Sequence, residues 1–349
     1  MVSETAAMRR ALRLAASPGF VKGPNPRVGC VLIDNTGAPV GEGWHAGAGH
    51  PHAEVAAIAD AGARARGSTA VVTLEPCSHT GRTGPCVDAL IAAGVRRVVW
   101  ASTDPNPIAA GGGERLRLAG IDTAAGLLAA DADQLNRSWI FAHRSGRPYV
   151  TWKFAGSLDG RSAAADGSSR WISSAAARAD AHRLRARAGA VLAGIGSVLV
   201  DNAQLAARGD AGEPIRYADQ PLRVVIGHRQ PPVGARIRDD AAPTLRIPTH
   251  DPAEVLAALS ARGVHDVLLE GGPTVAAAFW RAGLVDEVVA YLAPVLLGSG
   301  PSSVADLGVA TMAGAQRLDV VAIDVIGQDV DANVRITARP VISPVPSNN

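Results

Sequence analysis

Residues 73–86 read TLEPCSHTGRTGPC and contain two of the three cysteines in the chain, Cys77 and Cys86, each directly after a proline. The apolar run before them, AVVTLE, has the length and β-branched content of a buried strand, so Cys77 falls at a strand end. Cys86 opens CVDALIAAG, a helical pattern that begins behind Pro85. Upstream, GHPHAEVAA repeats the device: Pro51 precedes His52, Ala53 and Glu54 at the start of another Ala-rich helix. Helix starts favour thiolate over thiol through the macrodipole and the unpaired N–H groups of the first turn. One imidazole and two thiolates at such junctions make a three-ligand zinc site with a fourth position open to water, the mark of a catalytic zinc. Around them ETAAMRRALRLAA reads as helix and RVGCVLID and VRRVVWAS as short buried strands, which makes this half an α/β layer. Cys30, inside VGCVLI, reads as a small apolar core residue.

Glu54 gives the site a task. Two thiolates already neutralise a zinc ion, so a carboxylate beside it serves better as a proton shuttle than as a fourth ligand. In mid-helix, positions i and i+2 point away from each other; at the first turn, His52 and Glu54 can converge over the helix end. Zinc lowers the pKa of bound water towards ~7, and Glu54 can carry that water's proton to a ring and then to a leaving amine. The pattern His-x-Glu followed by Pro-Cys belongs to zinc-dependent hydrolytic deaminases. Here the usual Cys-x-x-Cys is replaced by Cys-x8-Cys, and SHTGRTGP must loop out between the ligands. His79 and Arg82 ride on that loop, as surface residues or as substrate contacts. A non-catalytic protein with a structural zinc is the competing class; Glu54 argues against it.

The chain has 349 residues, long enough for two domains. With Lys+Arg at 34 against Asp+Glu at 32, the net charge of +2 gives no footprint for nucleic acid or a membrane surface. No export signal is legible at the N-terminus, and runs such as AVLAGIGSVLV fall far short of the roughly 20 residues that span a bilayer. Sparse, odd cysteines suit a reducing compartment, so a cytoplasmic location is expected.

HRSGRPY at 143–149 breaks the helix–strand alternation, placing a boundary that gives domains 1–145 and 146–340 and a Pro/Ser-rich tail, 341–349, without fixed structure. The second half is α/β again: YVTWKFAGS, AVLAGIG, LRVVIG, LDVVAIDVI and NVRITARPV read as strands and ISSAAARADAHRLRARAG as a helix. GIGSVL at 194–199 lacks the third glycine of a dinucleotide fingerprint and is rejected as one. EGGPTVAAAF at 270–279 is either an ordinary strand–helix turn or a phosphate-binding helix start. Lys153, within an apolar strand, is a candidate for supplying charge or a proton.

These stretches together resemble the bifunctional deaminase/reductase family of riboflavin biosynthesis. HAE at 52–54, TLEPCSHTGRTGPC, DALIAAGVRRVV at 88–99, NPRVG at 25–29 and DPNP at 104–107 carry the resemblance in the first half. TWKFAGSLDGR, SRWIS, RLRA, VLVDNAQL and LLEGGPTVAAAF carry it through the second. Departures are Arg82 where lysine is frequent, Gly84 where proline is, and GGG at 111–113 where a lysine often interrupts.

The resemblance implies a cytidine-deaminase-like zinc domain followed by a dihydrofolate-reductase-like domain. The first would remove the 2-amino group of 2,5-diamino-6-(5-phosphoribosylamino)pyrimidin-4(3H)-one as ammonia. The second would use NADPH to reduce the ribosyl group of 5-amino-6-(5-phosphoribosylamino)uracil to ribityl. The metal ligands would be His52, Cys77 and Cys86, with Glu54 catalytic. Asn25, His45, His79 and Arg82 would hold the deaminase substrate, Asn25 otherwise being a turn residue between prolines. Ser169, Arg185, Leu205, Arg208 and Glu270 would contact the reductase substrate. Ala155, Trp171, Ser197, Asp201, Gly272, Pro273, Thr274 and Val275 would contact NADPH. A dimer or tetramer through the second half is implied. The alternative is a zinc pyrimidine deaminase whose second half only binds nucleotide or mediates assembly.

Overall fold

The computed structural model describes residues 3–17, 25–80, 84–209 and 212–341. The chain forms two compact units, Met1–Gly146 and Arg147–Asn349. Of the expected tail, only Val341 lies within the described residues.

The first unit runs α1 (Glu4–Ala15), β1 (Gly29–Ile33), β2 (Pro39–Trp44), α2 (Ala53–Ala61), β3 (Thr69–Leu74), α3 (Cys86–Ala93), β4 (Arg97–Ser102), α4 (Gly112–Leu118), β5 (Asp122–Ala125), α5 (Ala129–Leu135) and α6 (Arg137–Ser145). Its sheet has the order β2-β1-β3-β4-β5, antiparallel around β1 and parallel from β3 to β5. The unbroken apolar runs in β1, β3 and β4 follow from burial on both faces. Cys30, Leu32, Val72, Leu74, Val98 and Trp100 point into a core shared with α2, α3 and α4. Val31, Ile33, Val71 and Val99 point the other way, onto α1 and α5. A Cβ added to Gly41 or Gly43 of β2 would lie 2.4 Å from the Ala57 carbonyl oxygen or 2.3 Å from that of Ala53. Glycine in β2 therefore lets α2 lie against the strand, and this fixes where the helix start carrying His52 and Glu54 must be. β2, β5 and the helices α4 to α6 were not read from the sequence; PVGEGW has glycines where a strand signal needs β-branched residues.

The second unit runs β6 (Tyr149–Ser157), α7 (Ala175–Arg187), β7 (Ala190–Gly194), α8 (Ile195–Asp201), β8 (Leu222–Ile226), β9 (Thr244–Ile247), α9 (Pro252–Ser260), β10 (Asp266–Leu269), α10 (Pro273–Arg281), β11 (Glu287–Ala293), β12 (Leu318–Ile326) and β13 (Asn333–Pro340). The sheet order is β12-β13-β11-β6-β10-β7-β8-β9. It is parallel from β11 to β9 and antiparallel in the β11-β13-β12 end. α9 and α10 cover one face through Val255, Leu259, Ala276 and Phe279. Ile195 and Val198 of α8 pack on the other face, as does Ala177 of α7. The strand expected over AVLAGIG stops at Gly194, and helix begins at Ile195. Residue 194 itself must be glycine, because a Cβ there would meet Val275 Cγ2 at 2.7 Å.

Candidate metal centre and second cavity

His52 is the N-cap of α2, Cys86 is the first residue of α3, and Cys77 follows β3 by three positions. The fold brings their Nδ1 and Sγ atoms within 4.8 Å of one another. His52 Nδ1 lies 3.1 Å from Cys86 Sγ and 3.6 Å from Cys77 Sγ, and the Cys86 backbone N–H points at Cys77 Sγ from 3.4 Å. Hydrogen bonding from Cys86 holds the Cys77 thiol well below its usual range, while the same contact pushes Cys86 up. One sulfur thus keeps the proton that the other gives away. A nitrogen and two clustered sulfurs, one already biased to thiolate, are the donor set a zinc ion requires. Glu54 lies beside them, buried to 3% exposure; burial raises its pKa to about 7.

A cavity of about 360 Å³ opens over this cluster. Asn25, His45 and His79 line it together with His52, Glu54 and Cys77. His45 donates from Nδ1 to the Pro51 carbonyl at 3.0 Å, which leaves Nε2 to accept from Asn25 Nδ2 at 2.9 Å. Burial lowers the His45 pKa, in keeping with that neutral ring. His79 Nδ1 is buried without a hydrogen-bond partner among the described residues. Arg82 lies outside the described residues. The GGG segment shapes the wall: a Cβ on Gly112 would sit 1.7 Å from the Pro76 carbonyl oxygen, and one on Gly113 2.5 Å from the Trp100 ring. Bare backbone here lets α4 press on the residue before Cys77.

The second unit has a cavity of about 640 Å³. Lys153, Ala155, Ser169, Trp171, Asp201, Leu205 and Arg208 line it, and Arg185 reaches its wall. Arg185 does not offer an open fork there. Its Nε and Nη2 each donate to Glu270 at 2.7 Å, and Nη1 donates to the Ala206 carbonyl at 3.2 Å. Burial and the nearby Arg185 charge lower the Lys153 pKa, with Glu270 opposing them. Lys153 Nζ lies 5.6 Å from the centre of the Tyr291 ring.

Residues 148–331 match the model of the RibD C-terminal domain, and residues 1–102 match that of the cytidine and deoxycytidylate deaminase zinc-binding region. The chain is 49% identical over 334 residues to the riboflavin biosynthesis protein RibD of Mycobacterium tuberculosis, covering 94% of this chain and 97% of that protein. It belongs to the RibD family. The RibD protein of Escherichia coli is 43% identical over 93% of this chain and 96% of its own. A solved structure of Acinetobacter baumannii RibD superposes with a TM-score of 0.87 at 37% identity, covering 97% of this chain and 99% of that one. The deaminase/reductase of Thermotoga maritima superposes at 0.85 and 32% identity, over 97% and 99% of the two chains. The chain is accordingly a bifunctional enzyme of riboflavin biosynthesis, with a zinc-binding deaminase domain and a reductase domain that takes a nucleotide cofactor. The reading of its second half as a non-catalytic module is set aside. Among the described residues no helix is long and apolar enough to cross a membrane.

Within this RibD chain the structure gathers some sequence-read residues and separates others. The second cavity's lining does not include Glu270, Ser197, Gly272, Pro273, Thr274 or Val275. Glu270 forms a buried ion pair with Arg185 and acts electrostatically on Lys153 and His182, both of which line the cavity. Gly272 caps α10, Pro273 and Thr274 form its first turn, and Val275 packs on Gly194 and Gly271. Sequence reasoning missed Asp104, Asn106 and Trp139 in the first cavity and His182, Gln204, Arg236 and Tyr291 in the second. DPNP carried a signal for the first two but no role. Burial pushes Asp104 up to about 6, with Glu75 adding to the effect.

Proposed function

We propose that His52, Cys77 and Cys86 hold the zinc of this enzyme, and that Glu54 moves protons in hydrolysis of 2,5-diamino-6-(5-phosphoribosylamino)pyrimidin-4(3H)-one. The observation that carries the reading is the convergence of one imidazole and two sulfurs beside a buried carboxylate at two helix starts. Zinc bound there polarises water and makes it nucleophilic near neutral pH. Glu54, with a pKa near 7, can take a proton from the attacking water, protonate the ring nitrogen and then the departing amino group, so that ammonia leaves and a carbonyl remains. His45, neutral and tied to Pro51 and Asn25, orients the pyrimidine edge. His79, with an unpartnered buried nitrogen, supplies a further polar contact, and Arg82 is assigned the phosphoribosyl arm by resemblance.

The second cavity is read as the site that reduces 5-amino-6-(5-phosphoribosylamino)uracil. NADPH, when bound there, would supply a hydride; reduction at C1′ of the ribosyl group would open its bond to the ring oxygen, and that oxygen would need a proton. Lys153, buried and beside the ion pair of Arg185 and Glu270, is assigned to hold that proton. Ser169, Leu205 and Arg208 are assigned to the substrate and Ala155, Trp171 and Asp201 to the cofactor, with Ser197 and residues 272–275 extending the cofactor's path along the strand ends. The enzyme is taken to be a cytoplasmic homo-oligomer. Leu318, Val320, Ile323 and Val325 of β12 are 40%, 53%, 64% and 69% exposed, an apolar sheet face of the kind a second copy covers.

Glu54→Gln tests the first site. The variant is expected to retain zinc by metal analysis while ammonia release falls by about a hundredfold or more. Ammonia release at the wild-type rate would remove Glu54 from the mechanism. For the second site, the deaminated product with NADPH should give loss of cofactor absorbance; its absence would end the reductase assignment.

A further inference from the structure

Lys153 Nζ has no hydrogen-bond or ion-pair partner among the described residues. Glu270, the carboxylate that acts on it, gives both of its oxygens to Arg185. What the ammonium does meet is the ring of Tyr291, with 5.6 Å between Nζ and the ring centre. A cation within about 6 Å of an aromatic centre is drawn to the negative face of the ring, the more so where water is scarce. Tyr291 is 1% exposed and lines the same cavity as Lys153. The stem of a lysine turns freely, so its ammonium keeps one place only against a partner that does not move.

The ring is such a partner. Its hydroxyl donates to Asp180 Oδ2 at 2.6 Å, and the same oxygen accepts from Arg335 Nη1 at 2.7 Å. Arg183 Nη2 donates to Asp180 Oδ1 at 3.3 Å. Arg335 also donates to Asp324 Oδ2, from Nη2 at 2.7 Å and from Nε at 3.2 Å. The sheet register brings these groups together. Ala155 of β6 pairs with Tyr291 of β11, Tyr291 with Arg335 of β13, and Arg335 with Asp324 of β12. They form one row across one face of the sheet, on which α7 packs through Ala177 and into which it sends Asp180. Lys153 precedes Ala155 by two positions and so shares that face. Two carboxylates and two guanidiniums cancel, so the network brings no net charge to the lysine. It supplies a fixed ring, and donation of the phenol proton towards a carboxylate enriches the face that Lys153 meets.

We propose that Tyr291 is a positioning residue of the reductase: its ring, locked by Asp180 and Arg335, seats the Lys153 ammonium and keeps it protonated in the cavity. The inference deepens the reading of Lys153 as the holder of the proton in reduction, and rests on it. Three other groups face the same ammonium. Burial and the Arg185 charge lower the Lys153 pKa, and Glu270 opposes them. His182, brought down to about 4 by burial and by Arg185, is neutral near pH 7 and adds no charge. The ring acts in the same direction as Glu270, towards the charged amine. Removing it should lower the Lys153 pKa, whereas a tyrosine that merely filled the core would leave that pKa where it is.

The test reads Lys153 directly. The chain has two lysines, Lys22 and Lys153, so lysine labelled isotopically at Cε gives two NMR signals, which Lys153→Met assigns. Wild type, Tyr291→Phe and Tyr291→Leu are titrated as full chains, with unfolding midpoints to show that each is folded. Tyr291→Leu should lower the pH at which Lys153 titrates by about one unit, and Tyr291→Phe, which keeps the ring but loses the Asp180 bond, by about half as much. Lys22 should not move. Single-turnover hydride transfer should lose its alkaline limb at a correspondingly lower pH, with NADPH binding unchanged. An unmoved Lys153 in Tyr291→Leu overturns the positioning role; if that variant does not fold, an unmoved Lys153 in the nearly isosteric Tyr291→Phe overturns it. The reductase reading survives either result so long as wild type oxidises NADPH with the deaminated substrate. A shifted Lys153 with an unmoved rate profile overturns the lysine as proton holder, and the role of Tyr291 in reduction with it.

Discussion

Removing the negative charge from the Arg185 and Glu270 pair, by Glu270→Gln, should cost the second unit about 3 kcal/mol at pH 7. The figure follows from the site. Burial alone would raise the Glu270 pKa; the charge and paired hydrogen bonds of Arg185 outweigh it and bring it from 4.5 to about 2. A drop of that size corresponds to about 3 kcal/mol of preference for the ionised form. Side-chain exposures of 7% for Glu270 and 20% for Arg185 leave little solvent to screen it. Because the folded pKa is depressed, the stabilisation is complete above the unfolded value near 4.5 and is lost as pH falls towards 2. Wild type should therefore forfeit about 2 kcal/mol of this contribution by pH 3, and the glutamine variant none of it. Urea unfolding at pH 7, 5 and 3, with hydrogen exchange read at β7 and β10, measures both effects. A variant within about 1 kcal/mol of wild type at pH 7, with the same acid slope, would refute the reasoning.

Gly112→Ala drives a methyl group into the Pro76 carbonyl and should cost about 1–3 kcal/mol while weakening zinc retention through Cys77; competition with a chelating dye reads this, and unchanged retention contradicts it. Stripping the metal with a chelator should stop ammonia release but leave NADPH oxidation on the deaminated substrate intact, which two separate absorbance assays can follow. Lys153→Met should slow hydride transfer in a single turnover at saturating NADPH without changing cofactor binding; an undiminished rate removes the lysine from the proposed chemistry.

The strands β1, β3 and β4 were legible because burial on both faces turns the sequence into unbroken apolar runs. β2 was hidden because its glycines answer to the approach of α2, a constraint absent from the local pattern. The metal ligands were legible for a related reason. Pro-His, Pro-Cys and the strand before Cys77 mark chain junctions, and junctions at the same edge of a sheet can meet. The network that fixes Tyr291 left no such mark. It joins Asp180 to residues 111 and 155 positions away along the chain, through strands that only the sheet order makes neighbours.

The sequence alone determined the chemistry on offer: an imidazole, two sulfurs and a carboxylate at helix starts, in an α/β frame. Residue type and local periodicity are properties of short stretches, and short stretches are what a sequence displays. Only the tertiary structure decided which charges are spent and which are free. Arg185 and Arg208 look alike along the chain, yet one is neutralised by Glu270 from a distant strand end and the other donates to the neutral side chain of Gln204. A side chain's available charge depends on its neighbours in space, and those are set by how the sheet orders its strands.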